Sequence, residues 1–274
     1  MNASRSEIAG IVARESAETL VGAAHGRRVA AARRLLAPAA HLLARRFVEY
    51  DGVMGDRGPY RGAEWIVARA TGGLTVTGAE HIPATGPVLV VANHPGLTDA
   101  VSLLATMRRD DAWIVTANYP FLRALRRASE RFLFIDDHCT ALRHIVRRLR
   151  GGDAVLLFPA GGLEPDPATS PAAAHDSLAS WSRSIELIAR LAPHTQIVPA
   201  VVRGAVARAA FDHRLARRRA PVRERQRFAS LLQLALPGYQ RELVSVGFGA
   251  AISASSAGVQ ESVMAAMSAL MSAN

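Results

Sequence analysis

An α/β domain, with a mainly parallel sheet flanked by helices and an N-terminal amphipathic helical region before it, is the fold class this sequence predicts. Three observations carry that expectation. Half of the 274 residues are hydrophobic, enough to fill a core. Short apolar runs alternate with helix-period segments from residue 74 onwards. Several of those runs are apolar at every position, as strands covered on both faces are.

The elements follow in chain order. On an ideal helix of about 100° per residue, Arg27, Arg34 and Arg45 fall within about 20° of one another, and Val29, Leu36, Leu43 and Phe47 lie opposite. Residues 27–48 therefore form a basic amphipathic helix, with a bend expected at Pro38, which lacks an N–H and crowds the preceding turn. Such a helix suits a lipid interface and equally suits packing on the domain with its arginines in water, and both readings stay open. After the glycine-rich stretch 51–73, strands are expected at 74–78, 88–92, 113–116, 132–135, 154–158 and 197–202, with a last one at 242–248. Helical segments are expected between them at 99–108, 119–131, 140–150 and 176–191. The implied organisation is an N-terminal helical region suited to a membrane surface (1–70), an α/β domain (71–250) and an alanine- and serine-rich tail, weakly helical (251–274).

Composition narrows the chemistry. All 33 basic residues are arginine, so a P-loop lysine, a Schiff base and a lysine general base are excluded. The formal charge of +10 calls for an anionic partner such as nucleic acid, phospholipid head groups or a phosphorylated substrate. Between residues 203 and 227 nine arginines stand against Asp212 and Glu224, with no recognisable nucleic-acid module. Aromatic residues make up only 5% of the chain, which also argues against base stacking, so an anionic membrane surface is the expected partner and nucleic acid is not. The single cysteine, Cys139, and the absence of any ligand spacing among the histidines give no metal site. No run of about 18 apolar residues is free of charge, and the first 20 residues lack the apolar core of a secretory signal. A cytoplasmic protein, peripheral at the membrane, is expected.

In a sheet of this kind the chemistry gathers at the carboxyl ends of the strands. The strand at 88–92 runs into Asn93-His94-Pro95-Gly96-Leu97-Thr98-Asp99. The Pro-Gly turn folds the chain back, so Asp99 can accept a hydrogen bond from one imidazole nitrogen of His94 while the other faces substrate. That makes His94 a competent general base; the plainer reading is a polar turn residue beside a helix capped by Thr98 or Asp99. The strand at 132–135 ends in Asp136-Asp137-His138, and the strand at 154–158 ends in Pro159-Ala160-Gly161-Gly162-Leu163-Glu164-Pro165-Asp166.

At these residues the sequence resembles the glycerolipid acyltransferase family, whose members acylate glycerol 3-phosphate or 1-acylglycerol 3-phosphate. The family's first block, Asn-His, four residues, then Asp, is met by Asn93, His94 and Asp99. Its Phe-Ile-Asp-Arg block is met by Phe134, Ile135 and Asp136, with Asp137 in place of arginine. Its Phe-Pro-Glu-Gly-Thr-Arg block is met by Phe158, Pro159 and Gly161, with Ala160, Gly162 and Leu163 at the other positions, and an apolar strand around Val198-Pro199 fits the fourth. The resemblance implies an O-acyltransferase with the same fold, in which His94, aligned by Asp99, is the base. The co-substrate would be acyl-CoA or acyl-ACP, the acceptor a lipid, with no further cofactor. Substrate-binding candidates are Asn93, Asp136, Phe158, Pro159, Gly161, Gly162 and Glu164, with N–H groups of Gly161, Gly162 or Gly96 for the oxyanion. Transfer would be direct, because no GxSxG nucleophile is present and Cys139 has no activating motif.

The family's phosphate-holding arginines and glutamate are replaced by Asp137, Leu163 and Ala160. An acid there repels a dianion, which leaves Arg143 and Arg147 as substitute candidates and favours a larger lipid-like acceptor over glycerol 3-phosphate. Two other classes compete: an eroded, lipid-binding or scaffolding homologue, and a metal-dependent hydrolase using Asp136, Asp137, His138 and His94.

Overall fold

In the computed structural model, which describes residues 4–21, 26–219, 221–239 and 241–273, the chain opens with two helices, α1 (Arg5–Val21) and α2 (Gly26–Ala70). They pack against each other through Ile8, Val12, Leu43, Tyr50 and Met54. The expected bend at Pro38 is not where α2 breaks. The helix passes through Pro38 and departs from helical geometry at Gly58, with φ 83° and ψ 169°, so that Pro59 opens a second segment. Glycine is required there on two counts: φ is positive, and a Cβ would stand 2.6 Å from Asp110 Oδ1.

The α/β domain follows as β1 (Leu74–Thr77), β2 (Val88–Ala92), α3 (Asp99–Met107), β3 (Ala112–Ala117), α4 (Pro120–Ala124), β4 (Phe132–Ile135), α5 (His138–Arg150) and β5 (Ala154–Leu157). After it come α6 (Pro171–Ser177), α7 (Ser184–Leu191), β6 (Gln196–Arg203), α8 (Arg208–Phe211), α9 (Val222–Ala235), β7 (Val244–Phe248), β8 (Ile252–Ser253) and α10 (Val259–Ser272). Each expected strand is present, and two expected helices are each divided. Residues 119–131 hold α4 and a separate 3-10 turn, and 176–191 is split between α6 and α7 by a 3-10 turn at Leu178–Ser180.

The sheet order is β1-β7-β6-β2-β5-β3-β4, with β8 paired to β6. All pairings are parallel except those of β6 with β7 and β8. The central strand β2 shows why its sequence is apolar throughout. Val88, Val90 and Ala92 enter a core with Leu103, Leu104 and Met107 of α3 and Val67 of α2, while Leu89 and Val91 enter a second core on the other face. That second core holds Ile145 and Leu149 of α5, Ile185 and Ile188 of α7, and Val259, Val263 and Met267 of α10. Residues 251–274, read from the sequence as a weakly helical tail, thus contribute a strand and a helix to the domain. The small alanines and serines hide an apolar stripe spaced every four residues.

Candidate functional site

The register of the sheet assembles the site. Val91 of β2 is paired with Leu157 of β5 on one side and with Pro199 of β6 on the other, so the segments leaving these three strands run side by side. Asn93, the first residue beyond β2, is fully buried and uses its amide as a peptide would: Nδ2 donates to Val202 O at 3.0 Å, and Val202 N–H donates to Oδ1 at 2.8 Å. Asn93 was expected among the substrate contacts; the structure makes it a brace between β2 and β6, with both ends of its amide occupied.

His94 follows, its side chain 26% exposed. Its Nδ1 is 2.7 Å from Asp99 Oδ2, and Asp99, fully buried at the start of α3, also accepts from Gly96 N–H at 3.0 Å and Ala100 N–H at 2.6 Å. A buried carboxylate facing Nδ1 makes that nitrogen the N–H donor and leaves Nε2 with a free lone pair. The Phe158 ring covers one face of the imidazole, centroids 4.5 Å apart and planes 27° from parallel. Burial alone would lower the histidine pKa. The Asp99 charge, its hydrogen bond and the charge of Glu164 outweigh that loss and hold the pKa above the ordinary value.

Glu164 is buried rather than open to substrate. Its Oε2 accepts the His94 N–H at 3.0 Å, its own N–H donates to His94 O at 2.8 Å, and Oε1 accepts from Trp181 Nε1 and Ser177 Oγ at 2.8 and 2.9 Å. Burial pushes its carboxyl above the usual range, with these hydrogen bonds pulling the other way. Two residues on, Asp166 accepts from Gly204 N–H at 3.0 Å and Val206 N–H at 3.1 Å, fixing the turn that leaves β6. Sequence reading placed Asp166 only in the segment that ends the strand at 154–158, because nothing local shows that its partners, Gly204 and Val206, lie far along the chain.

Other candidates are placed differently. Pro159 is buried, and its carbonyl accepts from Ser182 N–H at 3.1 Å. Gly161, at φ 66°, closes a turn by donating its N–H to Phe158 O at 3.1 Å, and Gly96 gives its own to Asp99. Of the three glycine N–H groups expected at an oxyanion, two are committed elsewhere; that of Gly162 makes no hydrogen bond among the described residues. Asp136 stands beyond the edge strand β4, separated from β2 by β3 and β5, which puts it about 14 Å across the sheet at some 4.8 Å per strand. It is exposed and pairs with Asn118 at 2.5 Å and with Arg123 at 3.2 Å. Arg143 and Arg147 are exposed on α5 beside the same edge, Arg143 bonded to Thr140 Oγ1, and neither joins His94.

Asp137 caps α5 by accepting the Thr140 N–H at 2.8 Å, and the Thr140 bonds hold its carboxyl below the usual range. The residues on which a metal-hydrolase reading rests are therefore not assembled, and no group of three or more His, Cys, Asp or Glu able to hold a metal occurs among the described residues. One cation escaped sequence reading. Arg123, brought by α4 to the end of β4, lies 3.8 Å from the Phe134 ring centroid beside Asp136, a pairing of two segments that no local pattern announces.

Compared with known proteins, residues 73–203 match the family model described as Acyltransferase. No curated protein matches the chain. Among solved structures, the 1-acyl-sn-glycerophosphate (LPA) acyltransferase PlsC from Thermotoga maritima is similar, with 15% identity over 84% of this chain and 80% of that one, at a TM-score of 0.49.

Proposed function

We propose, from the match of residues 73–203 to the family model described as Acyltransferase, that this chain moves a fatty acyl group from an acyl thioester to a hydroxyl of a lipid acceptor, with His94 as general base. The carrying observation is the buried Asp99 carboxylate 2.7 Å from Nδ1 of a partly exposed histidine at the carboxyl end of the central strand. Nε2 takes the proton of the acceptor hydroxyl as its oxygen attacks the thioester carbonyl. The tetrahedral oxyanion then collapses, and the departing thiolate takes the proton back from the imidazolium. Asp99 fixes the tautomer and stabilises the imidazolium, and the Gly162 N–H is the glycine donor left for the oxyanion. The donor is an acyl thioester of coenzyme A or acyl carrier protein.

The acceptor we propose is lipid-like, a lysophospholipid or lyso-aminolipid, in preference to glycerol 3-phosphate. Ala160 and Leu163, in the segment that leaves β5, bring no charge to hold a phosphate. The acceptor's affinity then comes from its buried chain, with its charge left in the interface. Such a substrate calls for work at a membrane surface. Supporting that, α2 exposes Leu35 at 82% and Leu42 at 40% among Arg27, Arg28, Arg33 and Arg34. An apolar groove between α1, α2 and α9 is lined by Leu20, Leu36, Leu43 and Phe228, with Arg219 and Arg227 beside it. No described helix is long and apolar enough to cross a membrane.

The test is a transfer screen with purified protein: one labelled acyl-CoA and one acyl-ACP, each offered to glycerol 3-phosphate, lysophosphatidic acid and neutral or zwitterionic lyso-lipids, with products identified by mass. Transfer favouring a lyso-lipid is expected. A higher kcat/KM for glycerol 3-phosphate would overturn the acceptor assignment, and no transfer to any acceptor would leave an eroded homologue.

A further inference from the structure

Two buried carboxylates that take no part in the proton transfer, Glu164 and Asp166, flank Pro165 in the segment leaving β5. Each accepts hydrogen bonds from the frame around the histidine, and Asp166 Oδ1 also accepts from Ala168 N–H at 2.8 Å in its own segment. Glu164 grips both sides of the His94 peptide, receiving its N–H at 3.0 Å and donating to its carbonyl at 2.8 Å. The far carboxylate oxygen is anchored by Trp181 Nε1 and Ser177 Oγ, so the grip does not swing. Asp166 acts one loop further out. It holds Gly204 and Val206 on either side of Ala205, and Ala205 backs the His94 turn so closely that a Cβ on Gly96 would sit 3.1 Å from Ala205 Cβ. Thr98 Oγ1 also donates to Ala205 O at 3.3 Å.

A carboxylate is an expensive way to hold a peptide group. A buried, desolvated anion costs free energy that a neutral amide at the same place would not. Asn93, one residue earlier, shows that a neutral amide braces the neighbouring peptide of β6 well. What a carboxylate adds is charge. The ionisable groups bearing on His94 are Asp99 from α3 and Glu164 from the segment after β5; the Asp99 charge also bears on Asp166, and Arg203 at the end of β6 stands near Asp166. Phe158 and, from α9, Gln226, whose Nε2 donates to Pro95 O at 2.6 Å, are neutral.

We propose that Glu164 is a positioning residue for His94, clamping its peptide from both sides while presenting a second negative charge, behind that of Asp99, to the imidazolium formed during transfer. The inference rests on His94 being the base, and it reassigns Glu164 from substrate contact to support of that base.

The experiment is an NMR titration of the full-length protein with labelled histidines, the His94 signal identified by its loss in His94→Ala, run beside kinetics on the best substrates of the transfer screen. Glu164→Gln keeps the side-chain shape, removes the charge and cannot accept at both ends. The His94 midpoint is expected to fall by about one pH unit. kcat is expected to drop about tenfold or more with KM little changed, because a misplaced base loses its attack geometry without losing substrate contacts. Trp181→Phe keeps the charge and loosens the anchor: kcat falls and the midpoint stays. A folded Glu164→Gln protein with both the wild-type midpoint and the wild-type kcat overturns the proposal. Should Glu164→Gln not fold, an unchanged kcat in Trp181→Phe overturns it instead. The titration needs no substrate, so absence of transfer in the wild type speaks against the acyltransferase reading and leaves the charge on His94 to be judged separately.

Discussion

A histidine whose pKa is raised is a weaker resource at low pH and a stronger base once deprotonated. His94 must be neutral to accept a proton, and its pKa lies above the ordinary histidine value, so kcat/KM is expected to rise with pH through that elevated midpoint and to be lost as pH falls below it. A pH-rate profile checks this; a flat profile from pH 5 to 8 contradicts it. Asp99→Asn presents an N–H donor to Nδ1 and favours the wrong tautomer, so a loss of at least about 10²-fold in kcat is expected with the fold retained. Cys139, exposed on α5, has no place in this chemistry, and Cys139→Ser is expected to transfer at the wild-type rate. Loss of turnover in a folded Cys139→Ser protein would indicate a covalent thiol route. At this scale the His94–Asp99 pair was legible because a stretch of six residues with one Pro-Gly turn contains it. The Asn93 brace was not, since its partner Val202 is distant in the chain and is brought alongside only by the β2–β6 pairing.

Strands and helices place these residues, and the element ends can be tested separately from the chemistry. Asn93→Ala leaves the Val202 N–H and C=O without partners in a fully buried position, and a cost of about 1–3 kcal/mol is expected in denaturant unfolding. Asp137 has two descriptions with different consequences. By family resemblance it displaces a phosphate-holding arginine; by structure it caps α5. Asp137→Ala is therefore expected to lower Tm while Asp137→Ser, which can still cap, largely preserves it, as thermal melts will show. Asp137→Arg loses the cap and places a cation at the positive end of the helix, so any shift towards phosphorylated acceptors comes with reduced stability. The strands were readable because a parallel strand buried on both faces is apolar throughout. The helices were less so. Proline at 38 is a sequence-level warning of a break, yet α2 bends instead where Gly58 passes close to Asp110, a contact between distant segments.

Over the whole molecule the charge and the apolar surface meet at α1, α2 and α9. The basic stretch is not a single face: Arg203 bonds Leu270 O and Ala273 O, and Arg225 bonds Asp212 and Phe211 O, which spends them within the fold. Arg214, Arg217, Arg218, Arg219, Arg223 and Arg227 remain exposed. Co-sedimentation with acidic vesicles is expected at low salt and should weaken as the screening length shrinks from about 10 Å at 0.1 M to about 3 Å at 1 M. Equal, salt-insensitive binding to neutral vesicles contradicts the electrostatic attraction. Most of the fold could be read from alternation and strand-end chemistry. What escaped was whatever depends on the order of strands in the sheet: Asp136, Arg143 and Arg147 follow a block in sequence but sit three strands from His94. The central claim, that the His94–Asp99 pair performs acyl transfer, is tested most directly by product formation from a labelled acyl thioester and a lyso-lipid by the wild type and by His94→Ala with matching circular dichroism. The account predicts turnover by the wild type and a fall of at least about 10²-fold in the variant. Near-wild-type turnover by folded His94→Ala would contradict it.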